Sequence, residues 1–172
     1  MAGESVKVGE QRYRERFGRY YEDFTAGDVY EHRPGRTISE ADNTWFTLLT
    51  MNKHPVHFDA EYARHTEFGK PLVVSTLTLS VLVGMSVSDT SQKAIANLGW
   101  REIRLPAPVF AGDTLYAESE VLEMRESKSR PDAGLVTVRT VGRKQDGTVV
   151  CTFERTILVA KRGHGVEDRN HY

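Results

Sequence analysis

The sequence contains only one cysteine, Cys151, among its 172 residues. A single cysteine cannot form a disulfide within the chain, and it cannot supply a closed thiolate metal site. Long apolar runs are also missing: none approaches the ~20 residues of a membrane span, and residues 1–11 lack the apolar segment of a signal peptide. We therefore expect a cytoplasmic protein in which Cys151 is a small apolar residue of the core.

Charge of one sign is not in excess either, because 23 basic and 24 acidic side chains leave a net charge of −1. That balance gives no electrostatic reason to expect a nucleic acid or an anionic membrane as a partner. With 39% hydrophobic residues, the composition is typical of a globular protein. We expect one domain over residues 19–162, preceded by a polar arm over 1–18 and followed by a disordered tail over 163–172.

Two helices in the first half are indicated by their N-terminal caps. Ser39, with Asp42 three residues later, forms an acidic variant of the capping box near the start of a helix over residues 37–53. The apolar stripe along that helix consists of Trp45, Phe46, Leu48, Leu49 and Met51. Asp59 is a second good cap and predicts a short helix after it.

The longest apolar segment, residues 72–87, predicts a helix buried in the protein, because it is apolar nearly all round. The second half alternates with period two, and Asp146-Gly147 predicts a hairpin turn between the strand at 135–144 and the final strand. One face of that final strand carries Val149, Cys151, Phe153, Ile157 and Val159. The pattern predicts an α+β fold, and an antiparallel sheet wrapped around a single helix suits it.

Residues 46–59 are the most informative segment for chemistry. A helix ends in polar residues, Pro55 follows, and His57 stands just before the cap of the next helix. Reactive side chains are often held in this way, at the junction of rigid elements. His57 is therefore the first candidate for a functional residue.

Three other interpretations stay open on the residues alone. His57 is an ordinary loop histidine, with Asn52 as a helix C-cap. Alternatively, His57 joins His54 and Asp59 in a metal site, although no further ligands cluster nearby. It could also form a triad with Ser75 and Asp59, but the sequence has no Gly-x-Ser-x-Gly motif to support one.

Three blocks of the sequence resemble the (R)-specific enoyl-CoA hydratases and their MaoC-like relatives. The first block matches the family signature at Phe46, Leu49, Thr50 (in place of serine), Pro55, Val56, His57, Asp59, Tyr62 and Ala63. Residues 68–75 resemble the family's entry into its central helix, and residues 104–115 resemble a later strand and turn. The blocks occur in the family's order, and the resemblance extends over residues 20–161, which is most of the chain.

This resemblance implies a hotdog fold, in which an antiparallel sheet wraps around a long central helix and two such units pair, here as a homodimer. It also implies hydration and dehydration of an enoyl-CoA, with no cofactor beyond the coenzyme A that is part of the substrate. In the family, a backbone N–H at the helix entry faces the thioester oxygen, where negative charge develops as water adds. An aspartate and a histidine of the family activate the water and exchange the proton.

Carried over residue by residue, the family's histidine falls on His57, its aspartate on Asn52, and its helix-entry His-Gly on Val74-Ser75. An amide can hold a water through its carbonyl oxygen but cannot take its proton. The resemblance therefore predicts His57 as the base, Asn52 as the residue that positions the water, and the backbone N–H of Ser75 as the oxyanion donor. The candidates for substrate contact beside them are Thr50, His54 and Val74.

The run from Asp42 to Asn52 resembles a sub-branch that acts on short branched dicarboxylic acyl groups, of the mesaconyl- or itaconyl-CoA type. In that branch Asn52 is the normal residue rather than a loss. A substrate carboxylate needs a nearby cation, for which the candidates are Lys53, His54, Lys70 and Arg101. Arg101 and Arg104 are the candidates for binding the phosphates of coenzyme A.

Two further functions use the same fold and ligand. A hotdog thioesterase would hydrolyse the thioester, but it uses a carboxylate to direct water, and none is evident here. A non-catalytic acyl-CoA-binding protein is favoured by Asn52 alone. Release of free coenzyme A would indicate the former, and binding without turnover the latter.

Overall fold

The computed structural model describes residues 4–170, which form an α+β fold around one antiparallel sheet. The strands of this sheet lie in the order β3 (Val29–Thr37), β5 (Thr114–Glu126), β6 (Ala133–Lys144), β7 (Val149–Ala160) and β4 (Ala94–Arg104). The helices are α1 (Glu40–Thr50), α2 (Ala60–Arg64), α3 (Ser75–Met85) and α4 (Val166–Asn170). A separate hairpin consists of β1 (Glu4–Gly9) and β2 (Arg12–Arg16). The predicted α+β class is confirmed.

Helix α3 packs against the inner face of the sheet and supplies much of its core. Leu77 and Leu82 of α3 belong to one buried apolar cluster with Leu115 of β5 and Phe153 of β7. Gly142 of β6 permits the close approach, since a Cβ atom there would lie 2.3 Å from Cδ1 of Leu82. The helix is therefore held at a distance from the sheet that only glycine allows.

The outer side of α3 is open in the single chain, which differs from the predicted burial all round. Thr76, Ser80 and Gly84 recur at every fourth position and are exposed. Exposing small and polar side chains to water costs little free energy. The large apolar side chains Leu77 and Leu82 instead face the sheet and are buried. No helix within residues 4–170 has the length and apolar character to span a membrane.

The local signals in the sequence are confirmed. Ser39 Oγ accepts the N–H of Asp42 at 3.1 Å, and Asp42 Oδ2 accepts the N–H of Ser39 at 2.8 Å, which completes the capping box of α1. Asp59 Oδ1 caps α2 by accepting the N–H of Tyr62 at 2.9 Å. Gly147, with φ +85°, forms the turn between β6 and β7.

Helix α1 faces the protein with its polar side, which is the reverse of what its apolar stripe suggests. Trp45, Leu48 and Leu49 are 65%, 66% and 79% exposed, and the buried residues of α1 are Asn43 and Thr47. Phe46 alone of the stripe packs partly against the core. The inward side of α1 meets backbone groups of neighbouring loops, and these require polar partners.

Both chain ends are more ordered than the sequence suggests. The arm predicted over 1–18 contains the β1–β2 hairpin, with residues 1–3 outside the described range. In the tail predicted to be disordered, α4 packs through Asp168, which accepts the Tyr20 hydroxyl at 2.9 Å, and through Glu167, 3.0 Å from the buried Lys93. Burial, followed by the hydrogen bond to Asp168, raises the pKa of Tyr20 to about 12. These distant partners order the tail, and residues 171–172 lie outside the described residues.

Candidate active site

His57 is presented by a short turn between α1 and α2. Helix α1 ends at Thr50, Met51 adopts a left-handed conformation with φ 57°, and the 3-10 turn Pro55–His57 follows. The Nδ1 atom of the half-buried His57 lies 2.8 Å from the carbonyl oxygen of Leu72. Since a carbonyl oxygen only accepts, Nδ1 of the neutral ring carries the proton. Nε2 therefore keeps a lone pair that can take a proton.

Asn52 and His54 order the loop that leads into this turn. Asn52 Oδ1 accepts the N–H of His54 at 3.1 Å, and His54 Nδ1 accepts the N–H of Val56 at 3.2 Å. An accepting Nδ1 places the proton of the neutral His54 ring on Nε2, which is then a donor. The ring centroids of His54 and His57 are 5.9 Å apart. The structure thus brings Asn52, His54 and His57 into one cluster.

The first turn of α3 begins three residues after Leu72 and offers backbone donors. The N–H of Val74 is already used, since it donates to Oδ1 of Asn43 at 2.9 Å. The N–H groups of Ser75 and Thr76 make no hydrogen bond to any described residue, as is usual in the first turn of a helix. The helix dipole favours negative charge at this point, so an exposed Ser75 can donate to an oxyanion.

Asn43 connects these parts and was not singled out from the sequence. Its Nδ2 donates to the carbonyl oxygens of His57, at 2.7 Å, and of Leu72, at 3.1 Å. With the bond from Val74, one side chain contacts both the loop of His57 and the entrance of α3. Its place in the run 42–52 was the only sequence signal, because nothing local indicates that this side chain points inward.

Thr50 and the two arginines do not join the His57 cluster within one chain. Thr50 Oγ1 donates to the carbonyl oxygen of Phe46 at 2.7 Å, inside its own helix. Arg101 and Arg104 lie on β4 and pair with carboxylates: Arg101 Nε is 2.7 Å from Glu154, and Arg104 Nη2 is 2.7 Å from Glu102. Between residues 4 and 170, no hydrogen bond or ion pair connects either arginine to His57.

Two cations predicted to meet a substrate carboxylate lie close to the cluster along the chain. Lys70 Nζ is 4.4 Å from the centroid of the Phe110 ring and is exposed, two residues before Leu72. Lys53 is exposed beside Asn52. Among residues 4–170 neither lysine has an ion-pair partner, so a ligand can reach both without breaking such a pair.

The metal site and the serine triad are not supported. Asp59 caps α2 with its carboxylate, and Nδ1 of His57 faces Leu72, so Ser75, His57 and Asp59 form no relay. In the part of the chain that the structure describes, no three His, Cys, Asp or Glu side chains are grouped to hold a metal ion. What remains is a free lone pair at Nε2 of His57 and the open backbone N–H groups at the start of α3.

An antiparallel sheet packed against one side of a central helix, with a histidine beside the helix entrance, defines a hotdog-fold protein of the MaoC-like type. A mesaconyl-CoA hydratase from Cereibacter sphaeroides is 36% identical over 145 residues, which is 84% of this chain and 42% of that protein. The profile of the mesaconyl-CoA hydratase family matches residues 7–170, and the chain belongs to this family.

Solved structures agree with the fold. A monoamine oxidase regulatory protein from Archaeoglobus matches with a TM-score of 0.75 at 34% identity, covering 85% of this chain and 97% of that one. A Mycobacterium tuberculosis protein with a double hotdog fold matches with a TM-score of 0.79 at 25% identity, covering 87% of this chain and 47% of that one. The chain thus spans less than half the length of the double-hotdog protein and of the mesaconyl-CoA hydratase that it matches.

Proposed function

We propose that this chain catalyses the reversible hydration of an enoyl-CoA thioester with a short, branched dicarboxylic acyl group, of which mesaconyl-CoA and itaconyl-CoA are the types. The observation that carries the proposal is the arrangement around Leu72. Its carbonyl oxygen fixes Nδ1 of His57, so Nε2 is the available base, and three residues later the N–H of Ser75 stands open at the start of α3.

In the hydration direction, Nε2 of His57 takes a proton from water while the water oxygen bonds to the β-carbon of the enoyl group. The electron pair of the double bond moves toward the thioester oxygen, which accepts the N–H of Ser75. The protonated His57 then returns this proton to the α-carbon, so the base is regenerated, one water is added and the thioester stays intact. The coenzyme A is part of the substrate, and the proposed reaction uses no other cofactor.

Asn52 takes the role of positioning the water without accepting its proton. Its Oδ1 already holds the N–H of His54, and a second lone pair together with the Nδ2 donor remains for the water. In this proposal Asn52 holds the water, and His57 alone transfers the proton.

The dicarboxylic substrate is supported by the names of the relatives and by the cations beside the site. Relatives named mesaconyl-CoA hydratase or β-methylmalyl-CoA dehydratase are 30–36% identical to this chain. Lys70 and the Nε2 donor of His54 are the groups proposed to bind the second carboxylate, with Lys53 as a further candidate. Thr50 ends α1 and Val74 precedes α3, so they bound the segment that carries His57, and both are proposed to contact the substrate.

The functional unit is proposed to be a homodimer formed through β4. This strand is an open edge of the sheet, and its exposed apolar side chains are Ile95, Leu98, Trp100 and Ile103. An unpaired apolar edge favours pairing with another strand. The side chains of Arg101 and Arg104 are 65% and 72% exposed on the same strand, and in the dimer they are proposed to meet the coenzyme A phosphates of the neighbouring copy.

Hydration is tested by incubating the purified protein with crotonyl-, mesaconyl- and itaconyl-CoA and following the products by mass spectrometry. We expect one water to be gained on an intact thioester, fastest with a dicarboxylic substrate. His57→Ala should lower the rate by roughly 10²–10⁴-fold, whereas His65→Ala, at the exposed position that follows α2, should leave it unchanged. Free coenzyme A in place of hydrated product would indicate a thioesterase, and binding without any product would indicate a non-catalytic protein.

The dimer is tested by light scattering at micromolar concentration. Leu98→Glu on β4 should give a monomer, and Leu48→Glu, on α1 and at least as exposed, should not. A wild-type monomer, or dissociation only with the α1 variant, would contradict pairing through β4.

A further inference from the structure

Asn43 is a polar residue at a position of α1 where an apolar one is expected. It is 4% exposed and lies on the side of the helix that faces the protein. Every hydrogen-bonding group of its side chain is used. Nδ2 donates to the carbonyl oxygens of His57 and Leu72, and Oδ1 accepts the N–H of Val74. A buried amide with all its partners supplied by one small region is a specific interaction.

The partners of Asn43 fix which way its amide points and which residue can replace it. Two of them are carbonyl oxygens, which only accept, and the third is an N–H, which only donates. A flipped amide would therefore set oxygen against oxygen at two contacts. A carboxylate would do the same. A leucine of similar shape would leave the carbonyl oxygen of His57 and the N–H of Val74 without their partner, and the carbonyl oxygen of Leu72 would keep only the bond from His57.

The three bonds act on both of the groups proposed to carry the reaction. The carbonyl oxygen of Leu72 accepts from Asn43 and from Nδ1 of His57, so Asn43 orients the peptide that sets the tautomer of His57. The bond to the carbonyl oxygen of His57 fixes the backbone of the same residue. Asn43 also occupies the N–H of Val74, the residue just before α3. The N–H of Ser75 is therefore the first backbone donor at the helix entrance that a ligand can use.

We propose that Asn43 is a positioning residue that holds the base His57 and the oxyanion donor Ser75 as one rigid unit. The inference rests on the proposed hydratase function for its kinetic consequences. Asn43 is buried beneath the site, so it acts through its neighbours. Its loss should lower kcat rather than raise KM, since the two groups that it aligns act on the transition state.

The test uses Asn43→Leu and Asn43→Asp, with Thr47→Val as the matched control. Thr47 lies one turn further on the same side of α1 and is also 4% exposed, but its hydroxyl bonds only the carbonyl oxygen of Thr44 in its own helix. Asn43→Leu should lower kcat for mesaconyl-CoA hydration by roughly 10–100-fold, with little change in KM. Thr47→Val should change neither constant.

Asn43→Asp adds a readout that a purely structural role would not move. A protonated carboxyl can accept from Val74 and donate to one carbonyl, whereas the ionised form faces two carbonyl oxygens. The kcat of this variant relative to wild type should therefore fall as the pH rises and the introduced carboxyl ionises, at constant folded fraction by circular dichroism. Because the protonated form keeps two of the three bonds, this variant should fold even if Asn43→Leu does not.

Nitrogen-15 NMR of the imidazole rings tests the same inference without substrate. In the wild type, the neutral His57 ring should be protonated at Nδ1, and both Asn43 variants should shift it toward a mixture of tautomers. Folded Asn43 variants with wild-type kcat and an unchanged His57 tautomer would overturn the proposal. If the wild type hydrates none of the enoyl-CoA substrates, the proposed function fails, and the tautomer alone then decides whether Asn43 holds His57.

Discussion

The Nδ1 atom of His57 donates to the carbonyl oxygen of Leu72 at 2.8 Å, across fifteen positions of the chain. Because a backbone carbonyl only accepts, this bond places the proton of the neutral ring on Nδ1 and leaves Nε2 free to accept a proton. It also links the loop of His57 directly to the segment that leads into α3. In a serine-type triad, a carboxylate orients the histidine. In this protein, the backbone carbonyl of Leu72 does so.

Asn52 should tolerate aspartate better than alanine. Asn52→Asp keeps an oxygen for the N–H of His54, so the loop before His57 should keep its path and kcat should stay within about tenfold of wild type. Asn52→Ala removes that acceptor and the proposed contact with water, and kcat should fall by roughly tenfold or more. Both are measured as steady-state hydration of mesaconyl-CoA. An alanine variant as fast as wild type would show that the amide has no part in the reaction.

Features that depend on neighbouring residues were predictable from the sequence. The capping box of Ser39 and Asp42, the cap at Asp59 and the turn at Gly147 each involve partners within four positions. The family resemblance supplied what such local rules cannot, namely the hotdog arrangement of the sheet around α3. The strands β1 to β4 were not predicted, since their pairing partners are distant in the sequence or their apolar alternation is weak.

The orientation of α1 and the role of Asn43 could not be predicted for a common reason. Apolar residues usually face the core, and Trp45, Leu48 and Leu49 suggested that side of α1. The inward side instead meets the carbonyl oxygens of His57 and Leu72, which are 14 and 29 positions away from Asn43. A sequence pattern does not reveal backbone groups that arrive from such distances.

Gly142 should be essential to the packing of α3 on the sheet. A methyl group at this position would overlap Cδ1 of Leu82, so Gly142→Ala should lower the free energy of unfolding by about 1–3 kcal/mol. Urea denaturation followed by circular dichroism measures this. Gly84→Ala is the matched control on α3, where the new methyl group would meet no described atom within 4 Å beyond its chain neighbours and the nearby backbone of the helix, and it should raise stability by up to about 1 kcal/mol. Equal effects at the two positions would contradict the packing described.

Cys151 should be unreactive in the folded protein. Burial raises the pKa of its thiol to about 11, and the residue is 0% exposed in the core cluster around α3. Because the thiolate is the reacting form, a disulfide reagent should modify no thiol under native conditions. In denaturant, the same reagent should modify one thiol per chain, since the sequence has one cysteine. Rapid labelling of the native protein would mean that this part of the core opens readily.

His32 should make the protein less stable in mild acid. It is 0% exposed, with Nδ1 2.8 Å from Asp89 and Nε2 2.7 Å from the hydroxyl of Ser119. Burial is the largest influence and lowers the pKa of His32 from its ordinary 6.5. The hydrogen bond and charge of Asp89 oppose it, and the charges of Arg155 and Arg19 act with it.

The sign of the effect follows from proton uptake. Below about pH 6.5 the unfolded chain binds a proton at this histidine, whereas the folded protein binds one only at a lower pH. The free energy of unfolding should therefore fall as the pH is lowered, by at most about 1.4 kcal/mol per pH unit for this one group. Urea unfolding of the wild type and of His32→Gln, between about pH 7.5 and about pH 5, measures the difference in slope. His65→Gln, which removes an exposed histidine, should keep the wild-type slope, and an unchanged slope in His32→Gln would assign the acid sensitivity to other groups.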